Sequence, residues 1–251
     1  MLGDLRKDEW LSVLGLSESR VPRALLLRGT RNLRSQFELH RRYFSNVSEV
    51  CSPDGLLEDV LLGEVGGMTV AYASVYGASM ASEVVHLFGV LGTSLVIQTG
   101  ACRALDEKAA PGDLFLATEA CCGDGAFRQY VSTEIVRASV EPSPAALGVV
   151  GGWPIHSGRV FTTSARMAGT SAAADKWHDE GIAAVDQETS ATFAVAEHFG
   201  MDRAAILVVN SNPRRREQKL MEAPEKDERI TLANWLMIDL AFAMMKDAAG
   251  R

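Results

Sequence analysis

Short apolar runs recur along the chain and are separated by longer stretches that are typical of helices. The runs are rich in aliphatic residues and several end at a glycine, which predicts buried strands that lead into tight turns. The predicted strands cover 24–27, 56–62, 68–76, 94–99, 113–117, 158–163, 183–185 and 204–209. The predicted helices cover 7–16, 32–44, 80–88, 172–181, 188–199 and 231–248.

Strands that alternate with helices and are apolar on both faces are typical of a sheet covered by helices. The pattern therefore predicts an α/β fold: a three-layer single domain over 1–251 with a central mixed sheet flanked by helices and an N-terminal arm over 1–22. The charged segment 213–227 is predicted to be a mobile loop. Ligands bind such folds where strands end in loops. Here those ends are Gly29, Gly77, Gly100, Thr163 and 210–212.

Composition and charge exclude several classes of partner. The chain has 251 residues and a formal net charge of -7, which disfavours nucleic acid as a partner. No apolar run approaches ~18 residues, so we predict no membrane span. The charged first 20 residues do not resemble a secretory signal. The cysteines match neither a zinc nor a redox spacing, so we predict no metal site and reduced thiols in a cytoplasmic protein. They are Cys51, Cys102, Cys121 and Cys122.

Four motifs at predicted strand ends follow one another in a consistent order. They are GGMTVAYASVYGASMAS at 66–82, IQTGACRAL at 97–105 followed by PGDL at 111–114, AVDQETSA at 184–191, and ILVVNSN at 206–212. Together they resemble the nucleoside phosphorylase family, which includes hexameric purine nucleoside phosphorylase, uridine phosphorylase and methylthioadenosine nucleosidase. The resemblance covers about 24–248. It implies a phosphorylase/hydrolase-like fold and cleavage of the bond between a sugar and a nucleobase.

The resemblance places Glu188 at the sugar as a catalytic residue that hydrogen-bonds the ribose hydroxyls. A carboxylate can accept from two vicinal hydroxyls at once, and its charge stabilises the oxocarbenium character of the sugar as the glycosidic bond breaks. Asp186 matches the acidic position before it, and Gln187 stands where the family has a Met under the sugar. The alternative is a solvated glutamate in the first turn of a helix, favoured by the helix dipole.

The base side of the resemblance rests on Asn212, which falls where purine enzymes of the family carry a catalytic Asp. An Asn cannot donate a proton as an acid and acts only as a neutral donor and acceptor. We therefore expect it to contact a carbonyl-bearing base, and expect Asn212→Asp to change base choice more than stability. The alternative is a plain turn Asn after a strand. Further substrate contacts are expected from Thr163, Arg166, Gly77 and Gly100.

Phosphate binding in the family uses a Gly-Asp-Pro-x-Arg turn, an Arg of the neighbouring subunit, and an Arg with a Ser or Thr on a later strand. Here the turn keeps Gly29 and carries Arg31 and Arg34, without the Asp-Pro. On the later strand, Gln98 replaces the Arg and Ala101 the Ser or Thr, with Arg103 close behind. We expect these six residues to form the phosphate site. Taken singly, each arginine also fits an ordinary solvated side chain.

Three functions compete on this evidence. The first is a nucleoside phosphorylase with inorganic phosphate as co-substrate and no other cofactor. The second is a phosphate-independent nucleosidase, and the third is a non-catalytic nucleoside-binding protein on the same fold. The first is favoured because the segment 24–36 is basic and holds no carboxylate to activate water. By analogy, a homodimer or a hexamer built as a trimer of dimers is expected.

Overall fold

Ten strands of one mixed sheet form the centre of the computed structural model, which describes residues 1–50, 60–215 and 224–249. The strands are β1 Ala24–Gly29, β2 Ser45–Val50, β3 Val60–Val65, β4 Met68–Val75, β5 Leu95–Ala104, β6 Leu114–Gly123, β7 Ile135–Arg137, β8 Ile155–Thr163, β9 Ile182–Asp186 and β10 Asp202–Ser211. The helices are α1 Lys7–Leu14, α2 Leu33–His40, α3 Gly77–Leu91, α4 Pro144–Gly148, α5 Ser171–Asp179, α6 Thr189–His198 and α7 Pro224–Ala249.

The sheet has an open half and a closed half that share β5. In the open half the order is β2-β3-β4-β1-β5, with β1 parallel to both β4 and β5. In the closed half β5 pairs with β10, β10 with β6, β6 with β8, β8 with β9, and β9 returns to β5. A long twisted sheet curls in this way because closure removes unpaired edges. The predicted central mixed sheet flanked by helices is confirmed. Its partial closure was not predicted from the sequence.

Helices cover both faces of the open half. Leu25 and Leu27 of β1 pack in the same apolar cluster as Phe88 of α3. Leu26, between them in sequence, packs on the opposite face with Met237 of α7. This alternation follows from the period-two geometry of a strand. Near-complete burial of β1 explains why the sequence there is a continuous apolar run rather than an alternating one.

Several predicted elements differ in extent from the observed ones, among them β6, which continues to Gly123, and the three that follow. β5 does not stop at Gly100 but continues to Ala104, because β9 pairs with its last two residues. The predicted helix over 32–44 ends at His40 and gives way to a single 3-10 turn and then β2. The predicted loop over 213–227 is helical from Pro224 onward.

Some predictions fall on residues that the structure does not describe. Residues 216–223 of the predicted loop, 56–59 of a predicted strand and Cys51 lie outside the described residues. Cys102, Cys121 and Cys122 are free thiols. Among the helices in the described ranges, none is long and apolar enough to cross a membrane.

Candidate active site

The Glu188 carboxylate lies where β1, β4 and β9 end. Glu188 is the N-cap residue of α6 and its side chain is only 5% exposed. Its Oε1 accepts a hydrogen bond of 2.9 Å from the Gly77 amide, at the start of α3. A Cβ atom built on Gly29 would lie 2.8 Å from Oε2, so β1 passes directly against the carboxylate. Two of the glycines predicted from strand ends thus form the wall around the predicted sugar-binding residue.

The environment of Glu188 opposes its ionisation. Burial, and next the nearby charge of Asp186, raise the pKa of Glu188 to about 8. The Gly77 and Gln187 amides and the positive charge of Arg28 act in the opposite direction. A solvated glutamate in a first helical turn would have neither the burial nor these partners. The structure therefore favours a carboxylate held in place to interact with a ligand.

Gln98 presents a neutral hydrogen-bond donor to the same wall. Its side chain is fully buried, and its Oε1 accepts from the Thr192 hydroxyl of α6 at 2.7 Å. That bond turns the amide nitrogen toward Gly29, where Nε2 would be 3.1 Å from an added Cβ. Gln98 therefore occupies the expected position beside Gly29, as a donor without charge.

Asp186 lies beneath Glu188 with its oxygens already bonded within the protein. Its Oδ1 accepts from the Thr162 hydroxyl at 2.6 Å, and its Oδ2 accepts from the Thr189 amide at 2.9 Å and the Thr189 hydroxyl at 2.5 Å. These bonds tie the end of β8 and the start of α6 to the end of β9. They give Asp186 a positioning function for Glu188. Direct contact of Asp186 with substrate stays a prediction. The same holds for Gln187, which is half-buried between Asp186 and Glu188 in the sequence.

Asn212 does not offer its amide to a ligand, which corrects the expected catalytic role. Its Nδ2 donates to the carbonyls of Asp106 and Ala109 at 2.7 and 2.8 Å, and its Oδ1 accepts from the Arg214 amide at 3.1 Å. Both amide hydrogens are therefore used to hold the loop that follows β5. These contacts fit the alternative of a structural Asn in the turn after β10, and not an amide that hydrogen-bonds a nucleobase.

These contacts reverse the expected outcome for Asn212→Asp. The substitution removes both donors and places a carboxylate against two buried carbonyls, so we expect the free energy of unfolding to fall by about 2–4 kcal/mol. Urea unfolding checks this value. The exposed Asn32→Asp, at a helix N-cap that has no side-chain cap bond, is the matched control. An unchanged unfolding midpoint for Asn212→Asp would contradict the assignment.

The arginines near Gly29 divide into three environments. Arg31 is exposed, and its Nε donates to the Tyr76 hydroxyl at 2.8 Å, at the mouth of the site. Arg34 forms an exposed ion pair of 2.6 Å with Glu38 on α2, and its phosphate role stays a prediction. Arg28 lies in β1 immediately before Gly29 and, unlike Arg31 and Arg34, is buried.

Arg28 is the buried cation of this region. Its side chain is 7% exposed, and its Nη2 donates to the Asn234 side chain of α7 at 2.7 Å. Its Nε has no hydrogen-bond partner among the described residues. Burial lowers the pKa of Arg28, and the charge of Glu188 acts in the opposite direction. Arg28 therefore supplies positive charge close to the end of β1.

Of the remaining predicted residues, Thr163, Arg166 and Arg103 lie on the side of the site toward β8, whereas Gly100 lies beside β1. Thr163 ends β8 and accepts from the Ala165 amide at 3.1 Å, while Arg166 is exposed in the next turn. Gly100 packs against β1, since an added Cβ would be 3.5 Å from the Gly29 carbonyl oxygen, and Ala101 is exposed. The Arg103 guanidinium lies beside the loop after β8 and not beside Gly29, which corrects its assignment to phosphate.

Comparison with known proteins relates the chain to one superfamily. The sequence profile of the phosphorylase superfamily matches residues 38–238. Guanosine phosphorylase of Halorubrum lacusprofundi is 28% identical over 141 residues, which is 54% of this chain and 58% of the relative. The chain thus spans little more than half the length of that relative.

Solved structures with the same fold include uridine phosphorylase from Vibrio fischeri ES114. The crystal structure of its complex with 6-hydroxy-1-naphthoic acid has a TM-score of 0.74 at 20% identity, over 93% of this chain and 95% of that one. A second crystal structure of the same enzyme has a TM-score of 0.73, over 92% and 95% of the two chains. Together with the profile match over most of its length, these findings show that the chain belongs to the phosphorylase superfamily.

Proposed function

We propose that this chain is a nucleoside phosphorylase, a pentosyltransferase. A phosphate oxygen forms a bond to C1′ of the sugar, the bond from C1′ to the base nitrogen breaks, and the base leaves with that electron pair and is then protonated. The products are a free base and a sugar 1-phosphate. The observation that carries the proposal is the buried Glu188 carboxylate, held by the Gly77 amide where three strands end.

Glu188 has the chemistry that the sugar requires. As a carboxylate it accepts from the two vicinal ribose hydroxyls, and such charged hydrogen bonds are stronger than neutral ones. Its negative charge also stabilises the positive charge that develops on the sugar ring as the base departs. Because Glu188 is buried, that stabilisation exceeds what the same charge would provide in water.

Phosphate would bind beside Gly29. There the Gln98 amide supplies a neutral donor, and Arg28 and Arg31 supply positive charge from below the strand end and from the mouth of the site. Water-activating chemistry would instead need a second carboxylate free to act as a base. Asp186, the nearest candidate, has its oxygens occupied by Thr162 and Thr189. These contacts favour phosphorolysis over the nucleosidase alternative.

We propose a purine nucleoside as the substrate. The guanosine phosphorylase that resembles this chain suggests guanosine or a close analogue. We further propose a role in nucleotide salvage in the cytoplasm, with no cofactor besides phosphate and with a homodimer or a trimer of dimers as the assembly. The exposed Arg31 and Tyr76 at the mouth of the site leave room for a second subunit to complete it.

The proposal is tested by incubating the protein with guanosine, inosine, adenosine and uridine, each with and without phosphate. We expect free base and sugar 1-phosphate to form only when phosphate is present, as measured by chromatography and phosphorus NMR. Free ribose formed at the same rate after phosphate removal would identify a nucleosidase. Nucleoside binding by calorimetry without turnover would identify a binding protein.

A further inference from the structure

Arg103 lies in the extension of β5 beyond Gly100. It pairs with Val185 of β9, three residues before Glu188, and with Ser211 at the end of β10. Its side chain is half-buried, and its Nη1 would be 3.9 Å from a Cβ added to Gly169 in the loop after β8. Since each strand residue advances about 3.3 Å, the backbone of Arg103 is ~16 Å along β5 from Gln98. Arg103 and Gly29 are therefore at opposite ends of the site.

The Arg103 guanidinium makes no hydrogen bond or ion pair with any residue that the structure describes. Four other half-buried arginines among the described residues have a carboxylate partner. These are Arg159 with Glu119, Arg203 with Glu197, Arg214 with Asp175 and Arg229 with Asp113. A partly desolvated guanidinium is costly without an acceptor. Arg103 thus differs from these four in having unused hydrogen-bond donors close to the ends of β5 and β9.

We infer that Arg103 recognises the acceptor edge of a 6-oxopurine base, and this inference rests on the proposed function. With phosphate at Gly29 and the sugar at Glu188, the base extends toward β8 and β9, where Arg103 lies. A guanidinium donates in a bidentate manner to adjacent acceptors such as O6 and N7 of guanine. Arg166, exposed in the same loop as Gly169, adds positive charge on this side.

The same geometry discriminates among bases. Guanine and hypoxanthine present two acceptors on this edge, whereas adenine presents N7 beside an amino group that faces the arginine donors. Uracil offers only one acceptor at the corresponding position. An arginine also stabilises the negative charge on the departing base without giving up its proton. Arg103 is therefore a specificity-determining residue that favours guanosine and inosine over uridine and adenosine.

The test compares the wild type with Arg103→Met, which keeps the length of the side chain and removes its donors. We expect kcat/KM for guanosine and inosine to fall by about tenfold to a hundredfold, with little change for adenosine. Arg42→Met, at an exposed position in the turn after α2, is the matched control and should leave the ratio unchanged. Thermal unfolding verifies the fold, and removal of an unpaired arginine should not lower Tm.

A binding measurement separates this inference from the proposed function. Calorimetry with hypoxanthine and adenine needs no turnover, and we expect the wild type to bind hypoxanthine more tightly and Arg103→Met to lose that preference. An unchanged guanosine-to-adenosine ratio, or equal binding of both bases by the wild type, would overturn the role of Arg103. Absence of turnover with the hypoxanthine preference intact would instead overturn only the phosphorylase proposal.

Discussion

Glu188→Gln is expected to lower kcat/KM for nucleoside cleavage by about 10²–10³-fold. The amide has the same shape and its oxygen can still accept from the Gly77 amide, so the wall of the site is kept. What is lost is the negative charge beside the sugar and one of the two charged hydrogen bonds to its hydroxyls. Steady-state kinetics with guanosine and phosphate measure the effect.

The pH profile gives an independent readout of the same residue. The ionised form of Glu188 is the active one, and burial together with Asp186 raises its pKa to about 8 in the free protein. Because kcat/KM reports ionisations of the free enzyme, it should rise with pH by about tenfold per unit below pH 8 and level off above it. The charged groups that face Glu188 are Asp186 from β9 and Arg28 from β1. Glu188→Gln should lack this rise.

The control for both measurements is Glu197→Gln, in the last turn of the same helix. Glu197 is exposed and pairs with Arg203 at the surface, far along α6 from the N-cap. We expect it to retain wild-type kinetics and to lose at most about 1 kcal/mol of stability. Glu188→Gln with near-normal kcat/KM, or with an unchanged pH profile, would show that Glu188 does not contact the reacting sugar.

Gly29→Ala is expected to lower kcat by about 10²-fold without unfolding the protein. The added methyl would lie 2.8 Å from Glu188 Oε2 and 3.1 Å from Gln98 Nε2, both closer than contact allows. Neither group can retreat freely, because the Gly77 amide holds the carboxylate and Thr192 holds the Gln98 amide. The methyl therefore displaces the sugar-binding carboxylate and fills the space where phosphate is proposed to bind.

Gly125→Ala provides the matched control, since an added Cβ there meets no atom within 4 Å. It should leave both kinetics and Tm close to the wild type. Raised KM for phosphate together with reduced kcat in Gly29→Ala would agree with the proposed phosphate position. Wild-type kinetics in Gly29→Ala would place the reaction elsewhere in the fold.

The sequence by itself determined the features that depend on local chemistry. Apolar runs predicted β1 and β10 because a strand buried on both faces needs apolar side chains at successive positions. The glycines that follow these runs marked the strand ends, and Glu188 was found from the motif at the entry to α6. The Arg34–Glu38 pair was also within reach of the sequence, because residues four apart on a helix are neighbours.

Only the tertiary structure decided where side chains distant in sequence meet. Asn212 bonds to carbonyls more than 100 residues earlier, and Arg28 bonds to Asn234, 206 residues later. Because β9 closes the sheet, β5 is longer than predicted, and the Arg103 side chain lies beside the loop after β8 instead of at the expected phosphate site. The local sequence pattern indicates which residues are buried, but it does not indicate which partner each buried polar group bonds to. That choice follows from the path of the whole sheet and from the requirement that buried donors and acceptors be paired.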